Sequence, residues 1–161
     1  MEQGQEALQA IAERIAKEYF HPLAPNFRPP ARLICPTDSA EEVVLQALID
    51  EGAERKIPVE VIDLRQDSEA SLNYVTARIV EGRTVTPQGF VGMLVLRRFD
   101  VFGDKKHENP TYPFRSEFQH DQSFLWLFTG RDPDRMRFLF DSYSRPLYMA
   151  ASSITPQEWR A

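Results

Sequence analysis

A chain of 161 residues, 42% hydrophobic and 27% charged, can bury a core as one folded unit, which excludes a disordered segment. Its single cysteine, Cys35, excludes an internal disulfide framework and fits a reducing cytoplasm. The net charge of −5 argues against a simple nucleic-acid binder, although Arg131, Arg135, Arg137 and Arg145 gather late in the chain.

Leu8, Ile11, Ala12, Ile15 and Tyr19 recur at helical spacing, so residues 1–20 form an amphipathic opening helix instead of an apolar leader. Residues 21–30 hold four prolines and are predicted to run extended as a connector. Residues 31–154 are the expected core, beginning with a buried strand at Arg32–Cys35. Ser39 and Glu42 have capping-box spacing, and Val43, Val44, Ala47 and Leu48 mark the buried face of the helix they open. Pro58 leads into a second strand, Val59–Leu64, and Ser68 caps a helix over Glu69–Glu81 closed by Gly82.

A polar turn precedes Phe90–Leu96, an unbroken apolar run typical of a strand covered on both faces. Phe102–Pro113 reads as a long polar loop and Phe114–Asp121 as a short helix. Ser123–Thr129 is the next strand, and Asp132-Pro133 is a strong helix start, with that helix expected to end near Arg145-Pro146. Leu147–Ser152 supplies a fifth strand, and Thr155 with Glu158 opens a terminal helix over residues 155–161. Neither apolar run, Phe90–Leu96 or Phe124–Phe128, is long enough to span a bilayer. Strands alternating with helices predict an α/β fold: a three-layer α-β-α sandwich around a mainly parallel sheet of five strands.

Three stretches together resemble the core domain of the AAA+ class of P-loop ATPases. Arg32–Leu48 is similar to the strand, loop and helix of the phosphate-binding loop. Gly92–Phe102 resembles the Walker B strand and its exit, and Phe124–Phe140 the strand carrying a sensor residue, with Thr129 at that position. The closing residues 152–161 sit where such proteins enter a small helical lid, which the chain would lack. The resemblance implies that the phosphate loop and the Walker B exit face each other across a nucleotide site.

The residues at those positions depart from the chemistry. Pro36 and Glu41 fall where the loop needs glycines, Glu42 where it needs lysine and Val43 where it needs a hydroxyl. Arg97 and Arg98 follow the Walker B-like strand in place of its acids, with Asp100 further along. Magnesium-dependent ATP hydrolysis is therefore not expected, and no cofactor or metal is. Pairing of Glu41 or Glu42 with Arg97 or Arg98 would fill the site with the protein's own charges; the alternative has all four pointing into water.

Other chemistry is weakly marked. Cys35 precedes a helix N-terminus, where a thiolate could be favoured, but a buried structural cysteine fits better. His21, His107 and His120 share no ligand spacing, and Asp100, Asp104 and Lys105 match no recognisable magnesium set. Two functional classes follow. One is a noncatalytic AAA+-like domain working through protein contacts, as an adaptor, regulator or assembly subunit, alone or as a homo-oligomer. Its contact candidates are Phe27 on the connector, Tyr112 and Phe114 near the long loop, and Arg131, Arg135 and Arg145. The other is a Rossmann-like enzyme or nucleotide binder with an atypical site at the strand ends, using Thr37, Asp38, Ser39, Asp63 and Thr129. A nucleic-acid module built on the late arginines is a third possibility that the acidic total disfavours.

Overall fold

The computed structural model describes residues 2–20, 30–85, 92–121, 124–142 and 145–159. Its elements in chain order are α1 (Glu2–Phe20), β1 (Ala31–Ile34), α2 (Asp38–Glu54), β2 (Val59–Asp63), α3 (Ser68–Val85), β3 (Gly92–Arg97), α4 (Thr111–Phe118), β4 (Phe124–Gly130), α5 (Pro133–Phe140) and β5 (Ser152–Ser153). Short 3-10 turns cover Phe99–Phe102 and Gln157–Trp159. The strands form one sheet in the order β2-β3-β4-β1-β5, with every pairing parallel.

Period-two alternation in the inner strands builds two cores. Met93 and Val95 of β3, with Leu125 and Leu127 of β4, face one side and pack with Ala12, Ile15 and Tyr19 of α1 and Val44 and Leu48 of α2. Leu94 and Leu96, with Phe124, Trp126 and Phe128, face the other side and meet Leu72, Val75 and Ile79 of α3, Phe114 and Phe118 of α4, and Met136 and Phe140 of α5. The result is a three-layer α-β-α sandwich. Its second core is strongly aromatic: Phe99 contacts Phe102, Phe114, Phe128 and Phe140, with ring centroids 4.8–6.0 Å apart. Among the described residues no helix is long and apolar enough to cross a membrane.

Several boundaries differ from expectation. Thr37, not Ser39, caps α2: in extended conformation, its hydroxyl accepts the Ala40 N–H at 3.0 Å, and Ser39 lies exposed in the first turn. The helix α3 continues through Gly82 to Val85. Thr111 starts α4 three residues early, with its N–H donating to the Glu108 carbonyl. The α5 helix stops at Phe140, whose carbonyl accepts the Met149 N–H, so the chain turns back where continued helix was expected. The fifth strand shrinks to Ser152–Ser153 because Tyr148 and Met149 are exposed and Met149 is left-handed (φ 57°). Thr155 opens no α-helix; its hydroxyl accepts the Ile34 N–H at 3.0 Å and ties the last turn to β1. The connector prediction for residues 21–29, and Phe27 with it, lies outside the described residues, as does the part of the polar turn at 86–89.

Gly52 lies inside α2, where exchange of an exposed glycine for alanine ordinarily gains about 1 kcal/mol. Here a Cβ would stand 2.6 Å from the Ile57 carbonyl oxygen and 2.8 Å from Val59 Cγ2. Both groups lie on the segment that carries the chain into β2. Gly52→Ala therefore destabilises the fold, and thermal unfolding would show a lower midpoint; an unchanged or raised midpoint would contradict the close approach.

Candidate functional site

The strand carboxyl ends bring together most of the residues singled out above. At the exit of β1 the Cys35 N–H donates to the Gly130 carbonyl at 2.9 Å, extending the pairing with β4 by one step. Pro36 and Thr37 alone then separate Cys35 from α2, and both are exposed. So short a connection leaves no loop to wrap a phosphate. Glu41, aligned with a loop glycine, is instead the fourth residue of α2 and is 2% exposed.

Glu41 is buried because Arg97, the last residue of β3, reaches across the end of the sheet to it. Arg97 Nε donates to Glu41 Oε1, and Arg97 Nη2 lies 3.7 Å from Glu42 Oε1 at the rim. The Glu–Arg pairing open in the sequence thus forms through Arg97. Arg98 takes no part. Its backbone is left-handed (φ 61°), and that turn sends its N–H to Thr129 Oγ1 at 3.2 Å and its Nε to Asp100 Oδ1 at 3.2 Å. Thr129 is fully buried on β4, between the β1 exit and Arg98.

Asp100 is the centre of a second cluster. It is 1% exposed, and its Oδ2 accepts the N–H groups of Arg131 at 3.0 Å and Asp132 at 2.9 Å. One carboxylate therefore fixes the turn after β3 to the turn after β4. Gly130 is needed there, since a Cβ would stand 2.8 Å from Met136 Sδ and 3.2 Å from Asp100 Cβ. Asp132 in turn caps α5, accepting from the Asp134 and Arg135 N–H groups.

The remaining charges along this edge are also matched. Arg131 pairs with Asp38, and Arg65 holds Asp63 through a bidentate contact (2.6 Å at its shortest). The Arg65 hydrogen bonds keep the Asp63 carboxyl below the usual carboxylate range, so the stability this contact adds is present at neutral pH and is lost as acid protonates Asp63. Arg135 reaches Asp104 at 3.4 Å and Asp132 at 3.7 Å, and Arg145 grips Glu108 at 2.9 Å while lying over the Phe138 ring. The late arginines are thus committed to internal partners and form no free basic face. Phe114 is fully buried in the aromatic core and offers nothing to a partner, whereas Tyr112 is exposed.

Asp100, Glu108 and Arg65 carry much of this geometry, yet only Asp100 drew attention in sequence, as part of a polar loop. The one signal for it was an acid two residues after an arginine pair at a strand exit. The long loop is also not loose: Glu108 is 6% exposed under Arg145. Among the described residues no group of three or more His, Cys, Asp and Glu side chains is placed to hold a metal ion.

Cys35 sits beneath this edge, and burial pushes its thiol well above the usual range, with Glu41 adding to the rise and Arg97 and Arg131 opposing it. The activated-thiolate reading is thereby overturned, because the helix terminus cannot offset the loss of hydration. Cys35 is expected to resist iodoacetamide in the folded protein at neutral pH and to react fully in urea. Fast alkylation without denaturant would refute this.

No protein-family model matches the chain, and no curated protein matches it.

Proposed function

We propose that the chain is a noncatalytic AAA+-like domain that works through protein contacts, as an adaptor, regulator or assembly subunit. The observation that carries this reading is the buried Glu41 carboxylate held by Arg97 where the resemblance sets the phosphates and their magnesium. The three stretches of the resemblance lie on β1, β4 and β3, which are adjacent in that order and end on one side of the sheet. The strand order is compatible with a crevice at that edge, but neither the connection nor the chemistry suits a phosphate: only Pro36 and Thr37 link Cys35 to α2, and Glu41 with Arg97 stands where a glycine loop and its lysine would be needed.

Charge on this edge is neutralised internally: Arg97 by Glu41 and Glu42, Arg98 by Asp100, Arg131 by Asp38, and Arg65 by Asp63. Of the residues an atypical nucleotide site would use, Asp63 is bound to Arg65 and Thr129 is buried beneath the Arg98 N–H. Titration calorimetry with ATP, ADP, GTP and NADH, each with and without magnesium, is expected to give no saturable heat. Saturable binding of any of them would overturn this reading in favour of a Rossmann-like nucleotide binder.

A further inference from the structure

The two ends of the sheet are finished differently. At one end β5 is only two residues long, and the Ile34 N–H next to it is taken by the Thr155 hydroxyl at 3.0 Å. At the other end β2 runs for five residues, and among the described residues no strand pairs with its outer side. Parallel pairing bonds alternate residues of a strand to its neighbour. The Met93 N–H donates to the Pro58 carbonyl and the Leu64 N–H to the Arg97 carbonyl, so between them Glu60 and Ile62 bond to β3. Val59, Val61 and Asp63 therefore turn their backbone N–H and C=O groups away from the sheet.

Open edges are usually blunted by proline, lysine or unmatched charge. Val59–Asp63 contains no proline and no lysine, and its two acids are neutralised within the chain: Glu60 by Arg78 at 3.6 Å and Asp63 by Arg65 at 2.6 Å. Val59 and Val61 are half-buried on the side of the sheet that α2 covers. On the opposite side Tyr74 of α3 is 47% exposed, and its hydroxyl donates to Glu60 Oε2 at 3.0 Å, which holds the ring beside the middle of the strand. The edge is thus partly apolar, locally neutral and long enough to pair.

We propose that β2 pairs antiparallel with β2 of a second copy of the chain, about a twofold axis at Val61, to make one sheet continuous through both copies. The strand's own sequence selects this occupant and this register. Centred on Val61, all three outward residues exchange hydrogen bonds, and Glu60 and Asp63 lie opposite the other copy's Ile62 and Val59. A register centred on Glu60 sets that acid against itself, and one centred on Ile62 leaves Val59 without a partner. Charge also selects the direction. Parallel pairing would bring the acidic exits of both strands together, at Asp67 and Glu69. Antiparallel pairing sets each exit against an entry, where Lys56 stands beside Glu54 and Arg55 is held by Glu51. The two Tyr74 rings then flank the axis. The inference goes beyond the protein-contact reading, since such a dimer forms whether or not the domain binds a nucleotide.

Analytical ultracentrifugation of the full chain is expected to show a reversible monomer–dimer equilibrium between micromolar and millimolar concentrations. Val61→Pro removes an N–H that bonds to no neighbouring strand in the monomer, a position where an edge strand tolerates proline. Losing both donors at the axis should raise the dimer dissociation constant about tenfold or more. Val61→Lys keeps the N–H but sets like charges face to face at the axis, and should weaken the dimer as well. Met149→Ser, on the turn after α5, should leave it unchanged. Thermal melting confirms that the variants fold. The axis itself is tested by cysteine. A hydrogen-bonded antiparallel pair sets Cα atoms about 5.5 Å apart, within disulfide reach. Mild oxidation should therefore cross-link Val61→Cys readily and Val59→Cys poorly, with Cys35 buried and silent. A monomer at every concentration, a dimer that Val61→Pro and Val61→Lys both leave intact, a dimer lost in Met149→Ser, or equal cross-linking of the two cysteine variants each overturns the edge pairing. None of these outcomes bears on nucleotide calorimetry, so the broader reading stands or falls separately.

Discussion

Replacing Asp100 by alanine is expected to lower the free energy of unfolding by about 3–5 kcal/mol, the range typical of stranding a buried charge partner. The side chain is 1% exposed and serves three donors: Arg98 Nε, and the N–H groups of Arg131 and Asp132. Truncation leaves both N–H groups without an acceptor and Arg98 without its counter-charge, and each loss falls in a region with little water to compensate. Asp100→Asn preserves an acceptor but cannot balance Arg98, so its cost should be intermediate. Urea unfolding at neutral pH measures both. If alanine costs less than about 1 kcal/mol, Asp100 is not the fastener described here.

The pair of Glu41 and Arg97 should show non-additive substitution effects. Arg97→Met strands a carboxylate that is 2% exposed and is expected to cost about 3–5 kcal/mol, softened only to the extent that Glu41 can rotate toward the rim. Glu41→Leu, made alone, strands the guanidinium, though Glu42 at 3.7 Å offers it a partial substitute. The double variant removes both charges and places apolar groups of similar volume beside Cys35 and the β1 exit. It should recover most of the loss and lie well above the sum of the single changes. A double variant as unstable as that sum would mean that the two residues do not act as a pair. A double variant that then bound nucleotide would mean that the charges had been excluding a ligand.

The parts of this architecture that could be read in advance are those where local pattern and burial agree. Met93–Leu96 and Phe124–Phe128 are unbroken apolar runs, and each proves to be an inner strand covered on both faces, with alternate residues assigned to different cores. The start of α5 was equally plain, because Asp132 and Pro133 are both specific to a helix beginning. The start of α2 was not, since Thr37, Asp38 and Ser39 are all good caps. The choice was made by where β1 stops pairing with Gly130, a contact remote in sequence. Phe114 was misjudged for a related reason: it follows a polar loop, and only the packing of α4 against Trp126 and Phe128 shows that it belongs inside.

The site was legible in composition and not in connectivity. Glu41, Glu42, Arg97 and Arg98 stood out as charges in the wrong places, but that Arg97 serves both glutamates while Arg98 turns away to Asp100 depends on a left-handed residue. Nothing in the local sequence requires a non-glycine residue to adopt that conformation. The internal commitment of the late arginines was likewise invisible, because Asp38, Asp104 and Glu108 lie outside the stretch that made them look like a basic patch.

The strand order also dictates when the sheet can be assembled. Ala31 aligns with Leu127 on one side and Ser152 on the other, so β1 has no neighbour that precedes it or follows soon after it. While the chain is being synthesised, α1 and α2 can associate and β2 can pair with β3, but β1 has no strand to pair with until β4 emerges. Until then β1 has two bare edges and β3 has one, all strongly apolar. A ribosome stalled before Phe124 would hold a chain with every incentive to pair with another copy, so β4 is the residue run whose arrival joins β1 to β3, leaving the outer edge of β1 for β5.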